Sequence, residues 1–110
     1  MKSALSDYLF ICDMDNTLLT AKEGLPACNR TVIQLFIELG GLFTVATGRP
    51  PESIRAALDG IQLSLPAISC NGALLYDFST ESVLHRATLN REQATAAIAD
   101  ILPKFPQMGI

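Results

Sequence analysis

Basic residues are few: eight Lys and Arg stand against eleven Asp and Glu, for a net charge of −3 and a sequence pI near 4.9. A chain that grips nucleic acid needs a clustered positive face, so no nucleic-acid partner is expected. Cysteine is also sparse. Cys12, Cys28 and Cys70 are odd in number and widely spaced, with no CxxC pair for zinc or dithiol chemistry. They read as reduced thiols of a cytoplasmic protein. The one histidine, His85, lies far along the chain from Cys12, which argues against a cysteine–histidine nucleophile. No apolar run approaches the roughly 20 residues of a membrane span. The segment Met1–Asp7 lacks the apolar stretch of a secretion signal. No membrane partner is therefore expected.

What is present suits one small folded domain. The chain has 110 residues, of which 49% are hydrophobic, and a mean hydropathy of +0.31, which together argue against disorder. Strand and helix patterns alternate. Tyr8–Cys12 is a short unbroken apolar run, as in a parallel strand buried on both faces. Val32, Leu35, Phe36 and Leu39 recur at helical spacing, with Asn29 or Thr31 available as cap and Gly40-Gly41 as terminator. Leu42–Ala46 reads as a second buried strand. Pro50-Pro51 then opens a helix with Ile54, Ala57, Leu58 and Ile61 on one face. Pro66–Cys70 reads as a third strand, and residues 73–76 and 82–85 as a hairpin. Asn90 caps a last helix whose stripe is Ala94, Ala97, Ile98 and Ile101, ended at Pro103.

Three βα-type units in a row imply a parallel, right-handed, doubly wound α/β sheet, in which ligands bind beyond the carboxyl ends of the strands. Three segments share that rim: Asp13-Met14-Asp15-Asn16-Thr17, Thr47-Gly48-Arg49 and Asn71-Gly72. Asp13 and Asp15 repel each other unless a cation or protons intervene, and a hard divalent ion such as Mg²⁺ suits them as oxygen ligands. Metal, carboxylates and backbone amides, including that of Met14, favour a phosphoryl group. One carboxylate can attack phosphorus while the other, held mostly protonated, serves as acid and then base. Thr47 and the Gly48 amide can donate to phosphoryl oxygens, and Arg49 offers a planar fork for an anion. Asn16 tolerates the left-handed backbone that a sharp turn needs. Plainer readings stand beside these. The Asp pair can be a solvated turn, Arg49 can pair with a nearby acid, and Asn71-Gly72 can be a simple turn. His85 reads as a hairpin residue, and Glu92 and Asp100 as an exposed helix face.

Phe10-Ile11-Cys12-Asp13-Met14-Asp15-Asn16-Thr17 resembles the first signature of the haloacid dehalogenase (HAD) superfamily, DxDxT after an apolar strand. Val45–Pro50 resembles the second signature of its Cof-type branch, and Ile68–Ala73 that branch's third-strand segment. The resemblance covers about residues 8–86. It implies an HAD-like Rossmannoid parallel sheet with helices on both faces, incomplete here, over residues 1–86. Residues 87–110 would begin an inserted α/β cap. It also implies a Mg²⁺-dependent phosphatase that hydrolyses small phosphorylated metabolites through an aspartyl-phosphate. Asp13 would be nucleophile and metal ligand, and Asp15 acid/base and metal ligand through its carbonyl. Met14, Thr47, Gly48, Arg49 and Asn71 would bind phosphate or substrate.

The family also needs a downstream Lys and a Gly-Asp acidic loop. Neither fits here, since lysine stands only at positions 2, 22 and 104 and no Gly-Asp dipeptide occurs. The chain by itself is thus expected to be inactive. Tyr8–Cys12 would also lack neighbours on one side, leaving an apolar edge open to self-association. The alternatives are a catalytically incomplete regulatory half-domain and a receiver-like phospho-acceptor. The third strand here ends in Cys70-Asn71 rather than in the acceptor aspartate of a receiver.

Overall fold

A computed structural model describes residues 3–109. The elements run β1 (Leu9–Cys12), α1 (Ala27–Glu38), β2 (Leu42–Val45), α2 (Pro51–Ala57), β3 (Ala67–Ser69), β4 (Leu74–Asp77), β5 (Ser82–Arg86) and α3 (Arg91–Ile101). β1 pairs with β2 in parallel, Leu9 beside Leu42 through Cys12 beside Val45. A parallel bridge from Ala46 to Ile68 carries the sheet on to β3, and β3, β4 and β5 follow antiparallel. The chain thus forms two βα units; after β3 comes a tight 3₁₀ turn and the expected hairpin, not a third helix.

The core gathers Met14, Leu18, Leu19, Ile33, Phe43, Val45, Ile54, Leu58 and Ala67. Ile33 of α1 and Ile54 of α2 share it with Phe43 and Val45, and Arg30 on α1 donates to the Asp59 carbonyl just after α2. Both helices therefore lie side by side on one face, as successive right-handed crossovers require. Phe10 lies on that face, stacked on Phe43 and edge-on to Phe36. Leu9 and Ile11 alternate to the other face.

The expectation that β1 is buried on both faces is overturned. Leu9, Phe10 and Ile11 are 49–55% exposed, and among the described residues β1 pairs with β2 alone, as an edge strand. The buried stripe of α1 also differs from the expected one. Ile33 is buried and Phe36 and Ile37 partly so, whereas Val32, Leu35 and Leu39 are exposed. Helix periodicity gives the width of an apolar stripe, but its packing partners choose which part is covered.

The cap of α1 also differs from expectation. Pro26 precedes the helix without any side-chain cap; Asn29 Nδ2 instead donates to the Leu18 carbonyl and Thr31 Oγ1 to that of Ala27. At the other end Gly40, at φ +91°, turns the chain left-handed. The Gly40 and Gly41 amides then donate to the carbonyls of Ile37 and Phe36, the paired bonds of a Schellman ending. α3 follows its sequence closely: Asn90 Oδ1 accepts from the Gln93 amide at 3.1 Å. It buries no residue, and Lys104 Nζ pairs with Asp100 at its end.

The hairpin turn is held by Asp77, whose Oδ1 accepts from the Ser79 hydroxyl at 2.6 Å and its amide at 2.8 Å. Those bonds, the hydroxyl's first, lower the Asp77 pKa. A depressed carboxyl pKa stabilises the fold above the unfolded value and loses that contribution as pH falls through the folded one. Carboxyl ¹³C titration should place the Asp77 midpoint below the ordinary aspartate range, and Ser79→Ala should raise it. A midpoint that does not move on removal of the hydroxyl would refute this reading of the turn.

Candidate active site

The parallel register brings three strand ends together. The Ala46 amide donates to the Cys12 carbonyl at 3.0 Å, which sets Asp13 and the start of the second loop side by side. The Thr47 amide donates to Ile68, and the Asn71 amide donates back to the Thr47 carbonyl at 3.0 Å. All three segments therefore lie on one rim.

Within the first loop, Asp13 Oδ1 accepts from the Met14 amide at 2.8 Å and Oδ2 faces the Thr17 hydroxyl at 3.4 Å. The Met14 side chain is fully buried and acts as the anchor of the loop. Its carbonyl accepts from the Leu18 and Leu19 amides, which closes the turn. Asn16 takes φ 59°, the left-handed conformation that its sequence position suggests. Aspartate 13 is exposed at the tip of β1, with both oxygens held by its own loop.

Asp15 is bound differently. Arg49 Nε donates to Oδ2 at 2.9 Å and Nη2 to Oδ1 at 2.7 Å, a two-pronged pair. This hydrogen bonding holds the Asp15 carboxyl below its ordinary pKa. The expectation that Asp15 is mostly protonated is thus not met: the facing guanidinium favours its ionised form. The plainer reading of Arg49, a partner for a nearby acid, is the one realised, and its fork is engaged within the chain.

Thr47 is buried, and its hydroxyl accepts from the Arg49 amide at 3.2 Å. Gly48 lies against the Asn71 side chain; a Cβ there would sit 2.9 Å from Asn71 Oδ1, so a larger residue would have to push that side chain aside. Asn71, at φ 55°, turns the chain sharply after β3. The turn reading is realised, and the Asn71 amide side chain lies beside Gly48. The site residues named from sequence, Asp13, Met14, Asp15, Thr47, Gly48, Arg49 and Asn71, all belong to this one cluster.

Two hydroxyls that sequence reasoning passed over also contribute. Ser69, fully buried in β3, donates to the Arg49 carbonyl at 2.7 Å. Ser53 on α2 accepts from Arg49 Nη1 at 2.9 Å. A hydroxyl within the apolar run Ala67-Ile68-Ser69 was a usable signal, because a buried hydroxyl must find a partner. Cys12 has a raised pKa, from burial and then from Asp13, the opposite of an activated nucleophile. His85 sits on exposed β5 opposite Leu75.

The rim offers hard oxygen donors, which fit a divalent cation such as Mg²⁺ in part. The Asp15 side chain is taken by Arg49, leaving the Asp13 carboxylate as the acidic donor. Among the described residues no group of three or more His, Cys, Asp or Glu side chains is placed to hold a metal ion. No described helix is long and apolar enough to cross a membrane.

A parallel sheet with a carboxylate tip, a Thr-Gly-Arg corner and an Asn-Gly turn on one rim defines an HAD-like Rossmannoid class. A family model for haloacid dehalogenase-like hydrolases matches residues 10–107, and the chain belongs to that family. Among curated relatives, it is 38% identical over 90 residues to the 5-amino-6-(5-phospho-D-ribitylamino)uracil phosphatase of Bacillus subtilis. That match covers 82% of this chain and 30% of the relative. It is 36% identical over 72 residues to the pyridoxal phosphate phosphatase of Escherichia coli, covering 66% and 26%. The fold matches that of a haloacid dehalogenase-like hydrolase from B. subtilis with a TM-score of 0.75 at 24% identity, covering 87% of this chain and 33% of that one. The chain thus spans about a third of the length of the proteins it matches.

Proposed function

We propose that this chain carries the nucleophile-bearing part of a phosphohydrolase for small phosphate monoesters. The convergence of the Asp13, Thr47 and Asn71 loops on one rim supports this reading above all else. The relatives' names point the same way, each being a phosphatase of a small phosphorylated ring compound. In this reading an Asp13 oxygen attacks phosphorus, and the alkoxide leaving group takes a proton from Asp15. Water then attacks the aspartyl-phosphate, gives its proton back to Asp15, and releases phosphate. Thr47 and the Gly48 amide donate to the phosphoryl oxygens.

The ionised Asp15 is ready for the second step. For the first it must acquire a proton, which Arg49 disfavours while its fork stays in place. An anionic substrate group drawing that fork away would release the carboxyl towards its ordinary range. The Asp13 carboxylate and the Asp15 main-chain carbonyl would hold Mg²⁺, which when bound offsets the charge of the phosphoryl group. A second reading, a catalytically incomplete half-domain, is favoured by the commitment of the Asp15 carboxylate to Arg49, which leaves Asp13 as the acidic donor of the rim among the described residues.

The polypeptide expressed from its complete open reading frame, quenched in acid during turnover of an aryl phosphate, should carry a phosphoryl group on Asp13. Turnover with no such adduct, and with the rate intact in Asp13→Asn, would end the proposal. Inactivity of the full polypeptide together with the wild-type fold would favour the half-domain.

A further inference from the structure

We propose that Ser53 is a positioning residue of the site, its hydroxyl fixing the plane of the Arg49 guanidinium, whose fork here faces Asp15. The proposal rests on the phosphohydrolase reading for its effect on turnover, though not for its effect on Arg49. Asp15 and Arg49 are 34 residues apart in sequence, and both their side chains are solvent-accessible. An exposed ion pair between flexible side chains fixes neither partner well, since water and salt compete for both. Here, however, the arginine is tied at both ends.

Its main chain is fixed first. The Arg49 carbonyl accepts from the buried Ser69 hydroxyl at 2.7 Å and from the Cys70 amide at 3.1 Å, and its amide donates to Thr47 Oγ1 at 3.2 Å. Its guanidinium is fixed next. Nε and Nη2 are spent on Asp15, and Nη1 reaches back 2.9 Å to Ser53 Oγ. Ser53 stands in the first turn of α2, whose Ile54 is locked into the core. The hydroxyl therefore has a rigid base, and the plane of the guanidinium is set by contacts on two sides. A planar fork loses much of its value as an anion binder when its plane can turn. Ser53 consequently sets the direction in which the fork faces, towards Asp15 as here or towards an arriving phosphate.

The test uses this chain first. Arg49 Nε–H should give a protected ¹H–¹⁵N resonance, and Asp15→Asn should abolish that protection. Ser53→Ala removes no core packing, so the denaturation midpoint should be unchanged. It should speed solvent exchange of Arg49 Nε–H about tenfold, the scale of one hydrogen bond to a charged group. Ser53→Thr, which keeps the hydroxyl, should restore slow exchange. In the polypeptide from the complete reading frame, Ser53→Ala should lower kcat about tenfold, because a fork whose plane turns freely holds the bound phosphate out of line. Wild-type exchange in Ser53→Ala overturns the proposal, and so does faster exchange with kcat unchanged. If Asp13→Asn keeps its turnover, the phosphohydrolase reading fails instead, and the exchange result still decides whether Ser53 holds Arg49.

Discussion

Replacing Asp13 with Asn should lower turnover of an aryl phosphate by at least about 10⁴-fold in the polypeptide from the complete reading frame, the scale seen when a covalent nucleophile is removed. The substitution is nearly isosteric. An asparagine oxygen can still accept from the Met14 amide, which lies 2.8 Å from Asp13 Oδ1, so the loop should keep its shape. What is lost is chemical, because a neutral amide is a poor nucleophile and a poor metal ligand. Phosphate monoesters are among the slowest compounds to hydrolyse unaided, so little background rate can hide the loss. The measurement is kcat alongside a urea midpoint. A fall in rate with an unchanged midpoint is the expected pair, and a wild-type rate would refute the role of Asp13.

Ile54→Ala should have the largest effect on stability. Ile54 is 1% exposed and shares the core with Val45, Leu58 and Ala67. Truncating a buried isoleucine costs about 2–5 kcal/mol, part from lost transfer energy and part from the cavity left behind. Small domains have only about 5–15 kcal/mol in total. α2 is seven residues long and too short to be stable alone, so its place depends on this contact and on Leu58. Because Ser53 and Arg55 ride on the same helix, loosening it should also weaken the hold on Arg49 and on the hairpin, where Arg55 pairs with Glu81 and lies over Phe78. Urea denaturation should show a lower midpoint with an unchanged slope. A loss below about 1 kcal/mol would mean that this part of the core collapses readily around the gap.

Much of the fold was legible because its signals are local. The apolar runs ending in Asp13, Thr47 and Asn71 mark strand ends, and proline and glycine mark the helix boundaries. The Asn90 cap needs only the Gln93 amide, three residues on. The signals that misled were those whose outcome depends on neighbours. An unbroken apolar strand reads as doubly buried, yet among the described residues β1 pairs with β2 alone. In α1 the packing against Phe43 and Val45 covered Ile33 and not Val32 or Leu35, and Asn29 took a carbonyl on the first loop in place of a helix cap.

The candidate site divides along the same line. Residue types and spacings alone put Asp13, Asp15, Thr47, Gly48, Arg49 and Asn71 on one rim, since parallel strands must end together. Folding in three dimensions decided the charge state of Asp15, the engagement of Arg49, and the roles of Ser53 and Ser69. A chain's order of residues specifies which groups leave each strand. Hydrogen bonds across 34 and 20 residues, by contrast, exist only once packing has chosen distances and directions, and those distances set the electrostatics on which the chemistry depends.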